Sequence, residues 1–215
     1  MSAFNDLDIT CEQCQEEFQG AVWSAIHAGV DPELKDLLLG GELNMVMCPQ
    51  CGFVSFQDRF LIYQDPAEEL IAYVYPEVQE EQRAELEKLM LAGFREAQKG
   101  FEEKLRLVYD PLIFFGLESL VEMLLEEIDH AEQGDVAEAV CKEKGIAYLR
   151  IPPARSRRLK LPRVLPRTGT DRTPSREDVI GGFKKLLAEN PLLTVYAQRL
   201  PDVESNPAWR LETIS

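Results

Sequence analysis

Nowhere does the 215-residue chain hold a run of about 18 apolar residues, the length a bilayer-spanning helix requires. Its first ten residues, MSAFNDLDIT, have neither the basic n-region nor the apolar h-region of a secretory signal. Both absences predict a soluble cytoplasmic protein. Histidine is scarce at two residues, and there is no G-x-S-x-G, no P-loop and no internal repeat. No catalytic site therefore assembles from the sequence, and an enzyme stays open only as a class whose site is invisible at this level. His27 reads as a strand-end residue and His130 as a partner for the dipole at a helix C-terminus. The acid pair Glu126-Glu127 reads as a solvated face.

Basic residues are few and crowded together. Residues 1–149 hold 10 Lys/Arg against 31 Asp/Glu, whereas residues 150–176 hold 9 against 1, within a net charge of −15. An acidic body of this kind repels nucleic acid and anionic membrane at long range. The strip carrying Arg150, Arg155, Arg157, Arg158, Lys160, Arg163 and Arg167 has two readings: an arm that neutralises phosphates, or a linker lying on the acidic body. It lacks the interleaved aromatics on which bases stack.

Hydrophobic residues make up 45% of the chain, enough for a buried core. Asp31-Pro32-Glu33 through Leu39 predicts a short helix stopped by Gly40-Gly41. The stretches Phe18–Ile26, Leu43–Met47, Phe53–Tyr63 and Leu70–Tyr75 are rich in aromatic and β-branched residues and predict strands, with Asp65-Pro66 as a turn. From Val78 the period becomes helical, through Leu86, Met90, Phe94, Ala97, Phe101 and Leu105. Asp110-Pro111 then predicts the start of a second helix, apolar almost all round, to Ile128. Asp135-Val-Ala-Glu138 predicts a third, and with the Gln133-Gly134 turn the pair outlines a helix-turn-helix. Ile146–Ile151 reads as a strand, 152–174 as a linker with six Pro or Gly residues, and Arg176–Glu189 as a helix capped by Ser175. A short strand over Thr194–Gln198 and an irregular tail complete the prediction.

The fold class expected is α+β: a small antiparallel zinc-ribbon-like sheet with an inserted helix, an α-helical region and a short mixed C-terminal segment. The expected divisions are 1–76, 77–151, a basic linker over 152–175, and 176–215.

Five cysteines are present, and four stand in pairs, Cys11-Glu-Gln-Cys14 and Cys48-Pro-Gln-Cys51. In a reducing compartment such pairs point to metal or redox chemistry sooner than to disulfides. A thioredoxin-like centre wants one motif between a strand and a helix, and here there are two. Two C-x-x-C knuckles supply the four tetrahedral ligands that zinc prefers, and four thiolates leave no open position for water. The expected cofactor is thus a structural Zn2+ held by Cys11, Cys14, Cys48 and Cys51. Gly52 follows Cys51 where a left-handed residue turns backbone N–H groups toward sulfur; the first knuckle has Gln15 there. His27 is not needed to complete the tetrahedron, and Cys141 stands alone.

CEQC, DPELKDLLLGGELN, CPQCG and the YQDP-x-x-E-L-I-A-Y-V stretch together resemble the CpXC domain, a bacterial and archaeal family named for two Cys-Pro-x-Cys motifs, over about residues 8–76. The resemblance implies the same four zinc ligands. Glu12 stands where the first motif proline would be.

Three function classes follow. The first is a non-catalytic zinc-binding interaction or scaffold module with a protein partner or self-association, the apolar face left on the 111–128 helix being covered by a second copy in a homodimer or by the ribbon of the same chain. The second is a nucleic-acid-associated protein that uses Arg155, Arg157, Arg158, Lys160, Arg163 and Arg167. The third is the enzyme with an unseen site.

Overall fold

Residues Ala3–Thr10 (β1) and Glu17–His27 (β2) pair antiparallel, Ile9 facing Phe18 and Thr10 facing Glu17, so that the first cysteine pair is their turn. The computed structural model describes residues 1–169, 171 and 173–211, without the side chain of Leu105. The last four residues of the expected tail lie outside them. Pro32–Leu39 (α1) begins with proline in its first turn and ends at Gly40, as expected. Met45–Met47 (β3) and Val54–Phe56 (β4) form a second antiparallel hairpin, with the second cysteine pair at its tip. Leu61–Asp65 (β5) and Leu70–Tyr75 (β6) join across Pro66, where Glu69 takes a left-handed turn at φ 46.

The helical region starts with a 3-10 turn over Glu77–Gln82, and the α-helix Arg83–Lys99 (α2) stops at Gly100. It therefore stops short of the Phe101 and Leu105 through which the sequence pattern continued. Leu112–Phe115 (β7) is a strand parallel to β6, not the first turn of a helix. Leu-Ile-Phe-Phe is the composition a sheet edge accommodates, and Gly116 at φ 75 makes the turn that separates it from the next helix. The main sheet has the order β1-β2-β5-β6-β7 and is mixed, since β2–β5 and β6–β7 are parallel. The expected sheet was antiparallel throughout.

Leu117–Lys144 (α3) is one continuous helix of 28 residues. The helix-turn-helix outline is thereby overturned: Gln133-Gly134 is helical, and His130 sits inside α3 with no terminus beside it. Gly134 faces the following hairpin, where a Cβ would stand in ordinary van der Waals contact with Arg163 Cβ at 3.6 Å. The chain divides into two compact units, Met1–Leu125 and Glu126–Ser215, with the division inside α3.

In the first unit Ile26, Leu34, Leu38, Leu43, Leu61, Tyr63, Leu70, Val74, Leu120 and Leu124 form one buried cluster, so α1 and the start of α3 pack with the sheet. Leu120 and Leu124, part of the surface that suggested a homodimer, are thus buried within the unit. Asp65 is buried and satisfied by Lys35 Nζ at 2.9 Å and the Tyr63 hydroxyl at 3.3 Å.

In the second unit Ala147–Arg150 (β8) pairs antiparallel with Val164–Arg167 (β9), and Pro153–Leu159 (α4) lies between them. The stretch expected to be a linker is a folded helix and strand. Pro153 sits in the first helical turn, where its missing N–H costs nothing, and Leu161, Val164 and Leu165 are buried. Arg176–Glu189 (α5) has the predicted Ser175 cap, completed as a capping box by Asp178. It approaches β9 so closely that a Cβ on Gly182 would stand 2.3 Å from the backbone of Pro166 and Arg167. Thr194–Ser205 (α6) is a helix where a strand was expected. The Gln133 side chain accepts from the Val195 N–H at 2.9 Å and donates to Thr194 Oγ1 at 2.8 Å, supplying the N-terminal cap that the local sequence lacks.

Candidate metal centre

The two cysteine pairs are built as copies of one backbone turn. Cys11 N–H donates to the Glu16 carbonyl at 2.8 Å and Gln15 N–H to the Cys11 carbonyl at 2.9 Å; Cys48 N–H donates to Phe53 at 2.8 Å and Gly52 N–H to Cys48 at 2.9 Å. Gly52 has φ 74 and Gln15 has φ 62. The first knuckle thus adopts the left-handed residue without a glycine, and Gln15 Nε2 donates to the Glu12 carbonyl at 3.2 Å within it. Glutamine in this region carries a strain that glycine does not.

Each turn buries its first cysteine and exposes its second, Cys11 and Cys48 against Cys14 and Cys51. Cys11 Sγ lies 3.6 Å from Cys51 Sγ, and Cys14 Sγ lies 3.6 Å from Cys48 Sγ. All four sulfurs fall within 4.8 Å of one another, so one ion can reach every one of them. The four cysteines expected as ligands are brought together, and His27 is not a member of the cluster. It ends β2, as expected, and its N–H donates to Ser2 Oγ at 3.0 Å.

The electrostatics of the turns favour a cation. The Cys14 amide, acting against desolvation and helped by the Gln13 amide and the Cys51 thiol, pulls the Cys11 thiol down to about 7. At Cys14 and Cys51 the Glu16 and Phe53 amides act in the same direction, but burial and neighbouring sulfurs outweigh them: Cys14 is pushed up to about 12, and Cys51 is also raised. One thiolate is stabilised at the expense of its neighbours, and a divalent cation at the centre would remove that conflict by replacing the protons.

Two features missed at the level of sequence hold the tips together. Val46 of β3 packs with Ile9 and Val22 of the first hairpin, and Gly20 gives it room: a Cβ there would come within 3.2 Å of Val46 Cγ1. Asn44, left-handed at φ 60 and buried, accepts from the Trp23 N–H at 2.7 Å and donates to the Trp23 carbonyl at 3.1 Å. It stands in for a neighbouring strand where β5 no longer reaches β2. Its own carbonyl accepts from the Gln57 N–H at 2.9 Å. Only its position beside a GGEL turn marks Asn44, since asparagine is among the residues that tolerate φ above zero.

The basic strip lies in the other unit. Glu127 accepts from Arg163 Nη2 at 2.6 Å and Arg157 Nη1 at 3.1 Å, with all three side chains largely buried. Glu127 is thus not the solvated acid expected. Arg150 Nη2 contacts Glu138 Oε1 at 2.6 Å, and Lys142 and the Tyr148 hydroxyl share that oxygen. These donors, Arg150 first and Lys142 next, hold the Glu138 carboxyl down at about 2. Arg167 donates to the Asp171 carbonyl, Arg155 is half-buried, and Arg158 and Lys160 are exposed. Cys141 is buried, and burial, with Glu138 nearby, pushes its thiol up to about 11, away from reactivity. Among the described residues no helix is long and apolar enough to cross a membrane.

No curated protein and no solved structure matches the chain. The family model described as CpXC protein matches residues 9–140, which takes in both knuckles and continues past residue 76 into α3. The four clustered cysteines fall within the matched residues, and the chain belongs to the CpXC family.

Proposed function

We propose that the protein is a non-catalytic zinc-binding interaction module, with Zn2+ held by Cys11, Cys14, Cys48 and Cys51 in a zinc-ribbon-like pair of knuckles. The observation that carries this reading is the sulfur geometry. Four thiolates each about 2.3 Å from a tetrahedral zinc stand about 3.8 Å apart, and the closest pairs here are separated by 3.6 Å. A site of four protein sulfurs is closed to substrate, so the ion's role is to tie the two hairpin tips together. Among the described residues no His, Asp or Glu joins the cluster. Binding then contributes folding free energy to the first unit.

Elemental analysis of purified protein tests this: about one zinc per chain is expected, lost when Cys14 and Cys51 are both replaced by serine. Cobalt substitution giving the d–d spectrum of a tetrahedral tetrathiolate would support the ligand set. Protein that carries no metal after expression in zinc-supplemented medium, and binds no cobalt when reduced, refutes it. Association with a protein partner, a second copy included, is the function this reading assigns to the module. A nucleic-acid role for the basic strip is supported less, because Arg157 and Arg163 are already engaged by Glu127.

A further inference from the structure

The first unit has a cleft of about 460 Å3 lined by Leu38, Leu39, Leu43, Met45, Phe56, Leu117 and Val121. That volume is within the range of pockets that take ligands, about 300–1,000 Å3. Beside three glycines, three carboxylates, Asp58, Glu77 and Glu118, share its lining, and among the described residues no Lys or Arg does. Asp58 is held in place, since its Oδ2 accepts from the Glu77 N–H at 3.0 Å.

The apolar surface does not end at the cleft. Met45 faces Phe56 across the β3–β4 hairpin, and Met47 faces Val54 one step nearer the cysteine tip. Val46, pointing the other way, is buried. These four side chains share the outer face and are 45%, 44%, 66% and 46% exposed. An apolar strip thus runs from the candidate metal centre to an acid-rimmed cleft. Contiguous exposed apolar surface of this sort marks interaction sites, and methionine, unbranched and polarizable, adapts to varied partners.

We infer that this strip and cleft bind a basic amphipathic peptide segment of a partner protein, whose apolar side chains enter the cleft and whose Lys or Arg side chains meet Asp58, Glu77 and Glu118. The inference rests on the interaction-module reading and specifies the chemistry of its partner. Charge decides the occupant. The first unit carries 24 Asp/Glu against 8 Lys/Arg, so a second copy presenting the same face would bring carboxylates against carboxylates, a juxtaposition that suppresses pairing. A cationic segment instead gains from the field over its whole approach, and that gain falls as salt screens it. A wholly apolar segment would leave the acidic rim desolvated and unpaired.

The test uses the zinc-loaded 215-residue chain and fluorescein-labelled peptides made of repeated Lys-Leu-Phe, Glu-Leu-Phe or Lys-Ser-Ser triplets, with anisotropy as the readout. The Lys-Leu-Phe peptide is expected to bind with an affinity that falls steeply as salt is added, and the other two to bind at least about tenfold more weakly. Replacing Glu77→Lys and Glu118→Lys together should weaken binding by about tenfold or more and flatten its salt dependence. The milder Glu77→Gln with Glu118→Gln, and separately Met45→Ser with Phe56→Ser, should weaken it while leaving thermal unfolding and zinc content unchanged. Equal binding of acidic and basic peptides overturns the inference, as does binding indifferent to all of these substitutions, which would place the peptide elsewhere on the acidic surface. A dimer seen by light scattering that Met45→Ser dissolves would make the second copy the occupant and also overturn it. Absence of peptide binding in protein that holds its zinc sinks this inference and leaves the zinc reading standing, whereas a chain without metal sinks the zinc reading first.

Discussion

Replacing Asn44 by alanine should destabilise the first unit far more than its place in a short loop suggests. Asn44 is 5% exposed, and its amide exchanges two hydrogen bonds with the backbone of Trp23, at 2.7 and 3.1 Å. Alanine leaves the Trp23 N–H and carbonyl without those partners, at about 1–2 kcal/mol each in a partly buried setting. It also places a Cβ-bearing residue with no polar side chain at φ 60, which adds about 1 kcal/mol. The sum, about 3–5 kcal/mol, is a large share of a typical stability of about 5–15 kcal/mol. Urea unfolding followed by Trp23 fluorescence, in a Trp209→Phe background so that only the first unit reports, measures it directly. Asn44→Gly separates the contributions: it loses the same hydrogen bonds but accepts the left-handed backbone, so it should be less damaging than Asn44→Ala by about 1 kcal/mol. Because metal binding is coupled to folding, Asn44→Ala should also weaken metal affinity although Asn44 donates no ligand. An Asn44→Ala protein within about 0.5 kcal/mol of the parent, a change ordinary for a surface site, would refute the claim that this side chain replaces a strand beside β2.

The knuckles predict their own asymmetry. Gln15→Gly should raise the unfolding free energy of the metal-loaded protein by about 0.5–1 kcal/mol, since an exposed hydrogen bond to Glu12 is exchanged for relief of left-handed strain, while Gly52→Ala should lower it by about as much or more. If Gln15→Gly destabilises as Gly52→Ala does, the two turns are not equivalent. Glu138 predicts an acid response in the second unit. Its folded carboxyl lies at about 2, well below the ordinary range, because Arg150 and Lys142 hold it ionised. Its contribution is therefore complete above the unfolded value of about 4.3 and is lost as pH falls through the folded one. The difference in melting temperature between the parent and Glu138→Gln should be large at neutral pH and close between about pH 4.5 and 2. A difference that does not change across that window would show the ion pairs to be idle. Comparing the two proteins at each pH removes the effect of acid on the cysteine cluster, which both share.

Much of the candidate site was legible because its information is local. A C-x-x-C turn needs only four consecutive residues and one left-handed successor, so Cys11, Cys14, Cys48 and Cys51 could be named, and the structure brings them within 4.8 Å. Proline and glycine punctuation located α1 for the same reason, and Ser175 with Asp178 located the start of α5. Where the reading failed, the deciding partner was distant. Leu112–Phe115 is as apolar as a buried helix turn, and only β6 alongside makes it a strand. Thr194–Ser205 has no side-chain cap of its own and is helical with Gln133, 62 positions before Val195, as its cap. The basic run over 150–167 reads as a solvated arm until Glu127 and Glu138 are found beneath its guanidinium groups. By itself, then, the sequence determined the two cysteine pairs and the turns that present them, because both are encoded in residues adjacent along the chain. Tertiary structure alone decided the mixed order of the sheet and the acid-rimmed cleft, because each depends on pairings between residues far apart in sequence, which no local pattern specifies.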